Sequence, residues 1–284
     1  MDLPSLSSLS LSSGRVTFLQ ASGADTAPVL LLHGGGLDAA GLSWRYLLPR
    51  IAGTRSVIAL NWPGYGGSDP LGRPYTIADL GRWLIMVLDA LEIERADIVG
   101  VSMGGGAGLW LAVNQPERVG RIVPVAAYGL QRKVRRHLLS YLMAQLPLNR
   151  LGYAAFRRSR ESLRRSLEAI FADPARLTEE IVDEVEALLR AGASAAPFTH
   201  FQRGELRPRG LATNLADHVA SLPHRTLFIH GRADRLVPLA DIRAVAARMP
   251  QAKLVEMDVG HWPMRECPDA FDAHVVKFLG DDAI

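Results

Sequence analysis

Short, unbroken apolar runs alternate along this chain with longer stretches in which apolar residues recur every three or four positions. The first pattern marks strands buried on both faces, and the second marks helices with one buried side. Their alternation predicts an α/β fold, a mostly parallel sheet flanked by helices. Strands are predicted at 15–19, 29–32, 56–60, 98–101, 121–126, 226–229 and 253–257. Residues 76–91 have helical spacing, and Thr76 with Asp79 three places later forms a capping-box start. A helix over 269–278 closes the pattern. The Ser/Leu stretch after Met1-Asp2-Leu3-Pro4 has no basic n-region and no cleavage site, so it reads as a loose leader before the first strand, not a signal peptide.

Between about Leu130 and Leu215 the rhythm breaks. Strand-like runs give way to Arg, Leu, Ala and Glu, which predicts a helical cap inserted between two strands. The expected division is a core over 1–129 and 216–284 and an insertion over 130–215. The insertion opens basic, with Arg132, Lys133, Arg135 and Arg136, then Arg157, Arg158, Arg160, Arg164 and Arg165. Glu179, Glu180, Asp183, Glu184 and Glu186 then reverse the sign. This is the pattern of a solvated helical surface with internal ion pairs. A basic rim facing anionic substrates or a membrane surface is the sharper alternative.

Composition changes the picture little. The 284 residues are 48% apolar, enough for one large domain with an insertion. A net charge of +3 gives no reason to expect nucleic acid. Cys267 is the only cysteine, so no intrachain disulfide can form, which fits a reducing, cytoplasmic setting. No apolar run approaches the roughly 18 residues that cross a bilayer, so no stable membrane insertion is expected.

The chemistry concentrates at Gly100-Val101-Ser102-Met103-Gly104, between a predicted strand and a predicted helix. A serine at the apex of so sharp a turn has its hydroxyl pushed out, and the small flanking residues tolerate the turn. A hydroxyl is a weak nucleophile near neutrality. It needs a base within reach and a partner that fixes the base's tautomer. His261 follows one late strand and Asp234 the one before it, so both fall at strand C-termini, where open α/β sheets gather ligands. The expected catalytic set is Ser102, His261 and Asp234. The expected oxyanion donors are the amides of Met103 and Gly35, the latter within His33-Gly34-Gly35-Gly36. Gly36, Trp262, Phe198 and Phe201 are candidate substrate contacts, with Trp62 a further apolar candidate. His33 should brace the glycine loop without titrating, and His230 should be structural. His200, His218 and His224 are expected at the surface or in a pocket wall. Metal signatures and a dinucleotide fingerprint are missing, so no metal and no cofactor are expected. The implied partner is a small molecule with an apolar acyl part.

These motifs together resemble the α/β-hydrolase superfamily, in its serine-nucleophile branch with a helical cap. The resemblance rests on His33 to Gly36, Pro63-Gly64-Tyr65-Gly66-Gly67-Ser68, the Ser102 turn, Asp234 with Val237-Pro238, and Gly260-His261. It implies hydrolysis of a carboxylic ester, thioester or lactone through an acyl-enzyme. Dehalogenases and epoxide hydrolases of this fold carry aspartate where Ser102 stands, which argues against both. The carbon–carbon bond hydrolases of meta-cleavage products are similar in their glycine loop, Ser-Met-Gly turn and Gly-His-Trp. They usually carry asparagine where this chain has Val101, and they are the alternative, together with a small-molecule receptor of the same fold. Asn61 departs from the family's usual aspartate, a change expected to be structural.

Overall fold

The computed structural model of the protein describes residues 3–280. Its strands are β1 (Leu6–Leu11), β2 (Gly14–Ala21), β3 (Ala24–Leu32), β4 (Arg55–Leu60), β5 (Ala96–Val101), β6 (Val119–Val125), β7 (Leu206–Arg207), β8 (Gly210–Leu211), β9 (Thr226–Gly231) and β10 (Ala252–Met257). Its α-helices are α1 (Ala40–Ser43), α2 (Leu47–Ala52), α3 (Ile77–Ala90), α4 (Met103–Asn114), α5 (His137–Gln145), α6 (Leu148–Arg158), α7 (Arg160–Glu168), α8 (Glu179–Arg190), α9 (Ala196–Glu205), α10 (Leu239–Ala246), α11 (Pro263–Glu266) and α12 (Pro268–Gly280). Eight strands form one sheet in the order β1-β2-β4-β3-β5-β6-β9-β10. The β1–β2 and β2–β4 pairs are antiparallel, and all later pairs are parallel.

Both faces of this sheet are covered, which is why the central strands read as unbroken apolar runs. Along β3, Val29 and Leu31 face the layer holding Leu47, Ile51, Phe271 and Val275. Leu30 and Leu32 face the opposite layer, with Leu80, Leu84 and Leu109. The predicted cap of α3 is present in full. Thr76 Oγ1 accepts from Asp79 N, and Asp79 Oδ2 accepts from Thr76 N.

Helices α5 to α9 and the two-residue hairpin β7–β8 are inserted between β6 and β9. Ion pairs within the insertion join Arg160 to Glu179, Asp183 and Glu186 at 2.6–2.8 Å, as its sign reversal suggested. The pairs to Glu179 and Asp183 are exposed and contribute little to stability. Firmer attachment comes from Glu205 at the end of α9. Its buried carboxylate accepts from Ile77 N (2.6 Å) and from Thr213 Oγ1 (2.6 Å), tying insertion to core.

The expected leader needs correction. Leu6–Leu11 is an edge strand in full register with β2, from Leu6 opposite Leu19 to Leu11 opposite Gly14. Met1 and Asp2 lie outside the described residues. Ser7, Ser8 and Ser10 hide the strand, because an edge exposed to water needs no apolar run and is held by its backbone ladder.

Candidate active site

Ser102 joins β5 to α4 with φ 51° and ψ −114°, a backbone shape that residues other than glycine seldom adopt. Three backbone hydrogen bonds hold it there. Ser102 N donates to Val125 O at 2.8 Å, and its carbonyl accepts from Gly106 N and Tyr128 N, both at 3.0 Å. The turn can be this tight only because its flanks are glycine. A Cβ on Gly100 would stand 2.5 Å from Gly104 O, and one on Gly104 would stand 2.2 Å from Leu32 O. Met103 is the first residue of α4, so its amide has no partner within the helix and is free to donate.

The glycine loop after β3 faces this turn. A Cβ on Gly34 would lie 3.7 Å from Ser102 Cβ, and one on Gly35 would lie 3.7 Å from Met103 Sδ. Its shape is set from behind by Asp38, a residue without any local sequence signature. Asp38 accepts from Gly34 N (2.7 Å), Ala39 N (2.8 Å) and Ser43 Oγ (2.8 Å). Burial drives its carboxyl up to about 7, against the opposing pull of the Ser43 hydroxyl and the two amides. Ser43 Oγ in turn accepts from Trp262 Nε1 at 3.1 Å, so one network joins the glycine loop to the tryptophan beside His261. His33 behaves as expected. Burial pulls its imidazole down to about 3, so it is neutral. Nδ1 contacts Gly34 O at 2.7 Å and Nε2 accepts from Trp62 N, which assigns the proton to Nδ1.

Asp234 and His261 meet at 2.8 Å, Oδ2 to Nδ1. The other carboxylate oxygen accepts from Leu236 N (2.8 Å) and Val237 N (3.1 Å), fixing the side chain in its turn. Burial alone would raise the Asp234 pKa. The hydrogen bond and charge of His261, the Val237 amide and nearby His230 outweigh it and lower the pKa below the usual aspartate value. The acid is therefore an anion, and it holds the His261 proton on Nδ1. His230 Nε2 lies 3.0 Å from Val237 O and 3.5 Å from Asp234 Oδ2, a buried structural histidine behind the acid.

Ser102 and His261 line one cavity of about 460 Å³, and Gly35, Gly36, Met103, Trp262, Phe198 and Phe201 line it with them. Among the described residues no hydrogen bond joins the Ser102 hydroxyl to His261. That contact is often long in ligand-free hydrolases and tightens around substrate. The roof of the cavity comes from the insertion, with Tyr153 and Phe156 of α6 and Phe198 and Phe201 of α9. Phe198 sits so close to Gly35 that a Cβ there would be 2.9 Å from its ring. A larger cleft of about 960 Å³ opens at the N-terminal strand ends, lined by Arg55, Asp97 and Arg121, and holds none of these groups.

Other expected residues fall elsewhere. Trp62 is fully buried against Trp83 and lines no part of the cavity, because its indole N–H is used on His33 O. His224 is also buried, with Nε2 2.9 Å from Pro116 O, and it lines the larger cleft, away from Ser102. Asn61 is structural, accepting from Ala40 N and donating to Thr17 Oγ1.

The segment after α7 is fastened to the histidine loop. His261 N donates to Ile170 O at 2.8 Å. Glu266 accepts from Ala172 N, Asp173 N and Gly260 N at 3.0, 3.1 and 2.7 Å. Arg265, also buried, reaches Glu184 of α8 at 2.6 Å. Nothing local marks Glu266 or Arg265 in the sequence, since their partners are brought in by the fold.

A sharp serine turn, a His–Asp pair at neighbouring strand ends and a glycine loop beneath an inserted roof define a class, and the chain belongs to it: the α/β hydrolase fold family, whose model matches residues 27–266. The chain is similar to 2-hydroxymuconate semialdehyde hydrolase of Pseudomonas sp. (strain CF600), with 34% identity over 281 residues, 95% of this chain and 93% of the relative. The enzyme of the same name from Pseudomonas putida is 34% identical over 260 residues, 89% and 87% of the two chains. Among solved structures, a meta-cleavage product hydrolase from Pseudomonas fluorescens IP01 aligns with a TM-score of 0.80 and 27% identity, covering 98% of each chain.

Proposed function

We propose that this hydrolase cleaves a carbon–carbon bond beside a ketone or aldehyde carbonyl, in a substrate of the meta-cleavage-product type. The hydrolytic part rests on one observation: Ser102 and the Asp234-bound His261 open onto the same cavity. The bond type rests on near-full-length relatives named for a semialdehyde substrate and on a solved relative named as a meta-cleavage product hydrolase.

In this reading Ser102 Oγ adds to the ketone or aldehyde carbonyl carbon as His261 Nε2 takes its proton. The Asp234 carboxylate stabilises the imidazolium. The amides of Gly35 and Met103 donate to the oxyanion, each worth about 10²–10³ in rate. Collapse of the adduct breaks the carbon–carbon bond. The released electron pair spreads into the conjugated carbonyl, and His261 returns the proton to carbon. Water, deprotonated by His261, then hydrolyses the acyl-Ser102. Gly36, Trp262, Phe198 and Phe201 form the wall for the acyl part.

Hydrolysis of a neutral ester, thioester or lactone is the second reading, and one observation favours it. Among the described residues lining the cavity, none is lysine or arginine. A muconate or dienoate carboxylate would find no cation there, whereas a neutral acyl group would meet Phe156, Phe198, Phe201 and Trp262. Val101, where the meta-cleavage enzymes usually have asparagine, points the same way.

The test compares kcat/KM for 2-hydroxymuconate semialdehyde with that for p-nitrophenyl esters of graded chain length, for the parent chain and for Ser102→Ala. Preferred turnover of the semialdehyde, lost by several orders of magnitude in the variant, is expected. Ester turnover without semialdehyde turnover would replace the first reading by the second. Activity equal in parent and variant would overturn both and leave a receptor of the hydrolase fold.

A further inference from the structure

The insertion carries an apolar face turned to water. Leu138, Leu139, Leu142, Met143 and Leu146 recur on one side of α5 and just past its end, each 45–59% exposed. The opposite side of α5 is the packed one, with His137 and Ala144 buried. Leu151 on α6 adds another apolar side chain, 60% exposed. Six of the ten large exposed apolar residues among the described residues therefore fall within 138–151. Single exposed leucines are ordinary on a protein surface, but a contiguous cluster marks a contact.

The charge around this face has one sign. From Leu130 to Ser159 the chain has seven lysines and arginines and no aspartate or glutamate. Arg132, Lys133, Arg135 and Arg136, just before α5, and Arg150, Arg157 and Arg158, on α6, are exposed. An apolar stripe bordered by cations is the pattern of a helix lying in a membrane interface. A second copy of the chain would bring like charge against like across a two-fold contact. An anionic lipid surface would meet both the stripe and the cations with complementary chemistry.

We propose that α5 and the outward side of α6 dock on an anionic bilayer surface. Among the described residues no helix is long and apolar enough to cross a membrane, so the contact is peripheral. Its consequence for the site follows from α6, whose inward side contributes Leu148, Gly152, Tyr153 and Phe156 to the Ser102 cavity. Docking sets the cavity roof against the lipid, where apolar substrates collect. The proposal does not depend on which bond the site cleaves.

Flotation of the full chain with phosphatidylglycerol/phosphatidylcholine vesicles tests this, against pure phosphatidylcholine vesicles and against raised salt. Binding is expected to the anionic vesicles only, to weaken in 0.5 M salt as screening predicts, and to fall at least about ten-fold in Leu139→Glu/Leu142→Glu. Circular dichroism melting of the variant, equal to the parent's, establishes that the fold is kept. Failure of the parent chain to float with anionic vesicles at low salt would overturn the proposal. So would equal binding by the variant, or a parent dimer in light scattering that the variant converts to monomer, which would assign the face to a second copy.

Discussion

Replacing Glu266 by alanine removes the single acceptor shared by three amides at the junction of insertion and histidine loop. Oε1 accepts from Ala172 N and Asp173 N, while Oε2 accepts from Gly260 N and shares Ala172 N. A buried donor left unpaired costs about 1–3 kcal/mol, so the unrelaxed loss would be about 3–9 kcal/mol. Water entering the vacated space offsets part of it, and a destabilisation of about 4 kcal/mol is expected, near the upper end for one substitution. Glu266→Gln divides the effect. Its one carbonyl oxygen can keep the bonds of only one of the two carboxylate oxygens, and its NH₂ then faces donors. A loss of about 2 kcal/mol is expected, typical of a charge-assisted bond. Urea unfolding followed by tryptophan fluorescence reads both numbers, with an unchanged m-value as the sign that stability alone has moved. Because His261 N is bonded to Ile170 O beside this carboxylate, Glu266→Gln should also lower kcat. If both variants unfold within about 0.5 kcal/mol of the parent, a value typical of unremarkable surface changes, Glu266 does not fasten this junction.

Asp234→Asn should leave the thermal transition near that of the parent but cut kcat about 10³–10⁴-fold, because an amide can hold His261 in the wrong tautomer; steady-state kinetics on whichever substrate is turned over checks this. Burial pushes the carboxyls of Asp38 and Asp272 up to about 7. Between about pH 4 and 7 the folded chain then holds protons that the unfolded chain has lost, so stability falls as pH rises, by up to about 1.4 kcal/mol per unit for each group. Asp234, whose pKa is lowered, works in the opposite sense and only in more acid solution. Melting temperatures at pH 5 and 8 should show the decline and Asp272→Asn should flatten it, whereas a transition that rises across this window would contradict it. Gly104→Ala drives a Cβ to 2.2 Å from Leu32 O in fixed backbone. The variant should fail to accumulate as folded protein, and a recovered, active Gly104→Ala would show that the serine turn has slack.

The central strands and the residues at their ends were legible in the sequence for one physical reason: sheet, turn and site follow a local code. Strands buried on both faces must be nearly all apolar, and Ser102 and Asp234 follow such strands, whereas His261 follows the half-exposed edge strand β10 and is marked by its Gly-His pair instead. The parts that escaped have no local code. The edge strand Leu6–Leu11 is half serine. Helices α1 and α2 are four and six residues long, too short to show a period. Asp38, Ser43 and Glu266 are ordinary loop or helix-end residues until folding brings them amides from elsewhere in the chain. Trp62 failed as a pocket residue because an aromatic near a motif can equally be the core beneath it. Its indole points into the layer with Trp83.

The bond from His261 N to Ile170 O bears on protein engineering. A chimera that grafts the roof of one relative onto the sheet scaffold of another has to carry the Ile170–Asp173 stretch and the Gly260–Glu266 loop as one matched cassette. Cutting between them would hand the imidazole a foreign neighbour, and a transplant meant to alter selectivity would shift His261 instead.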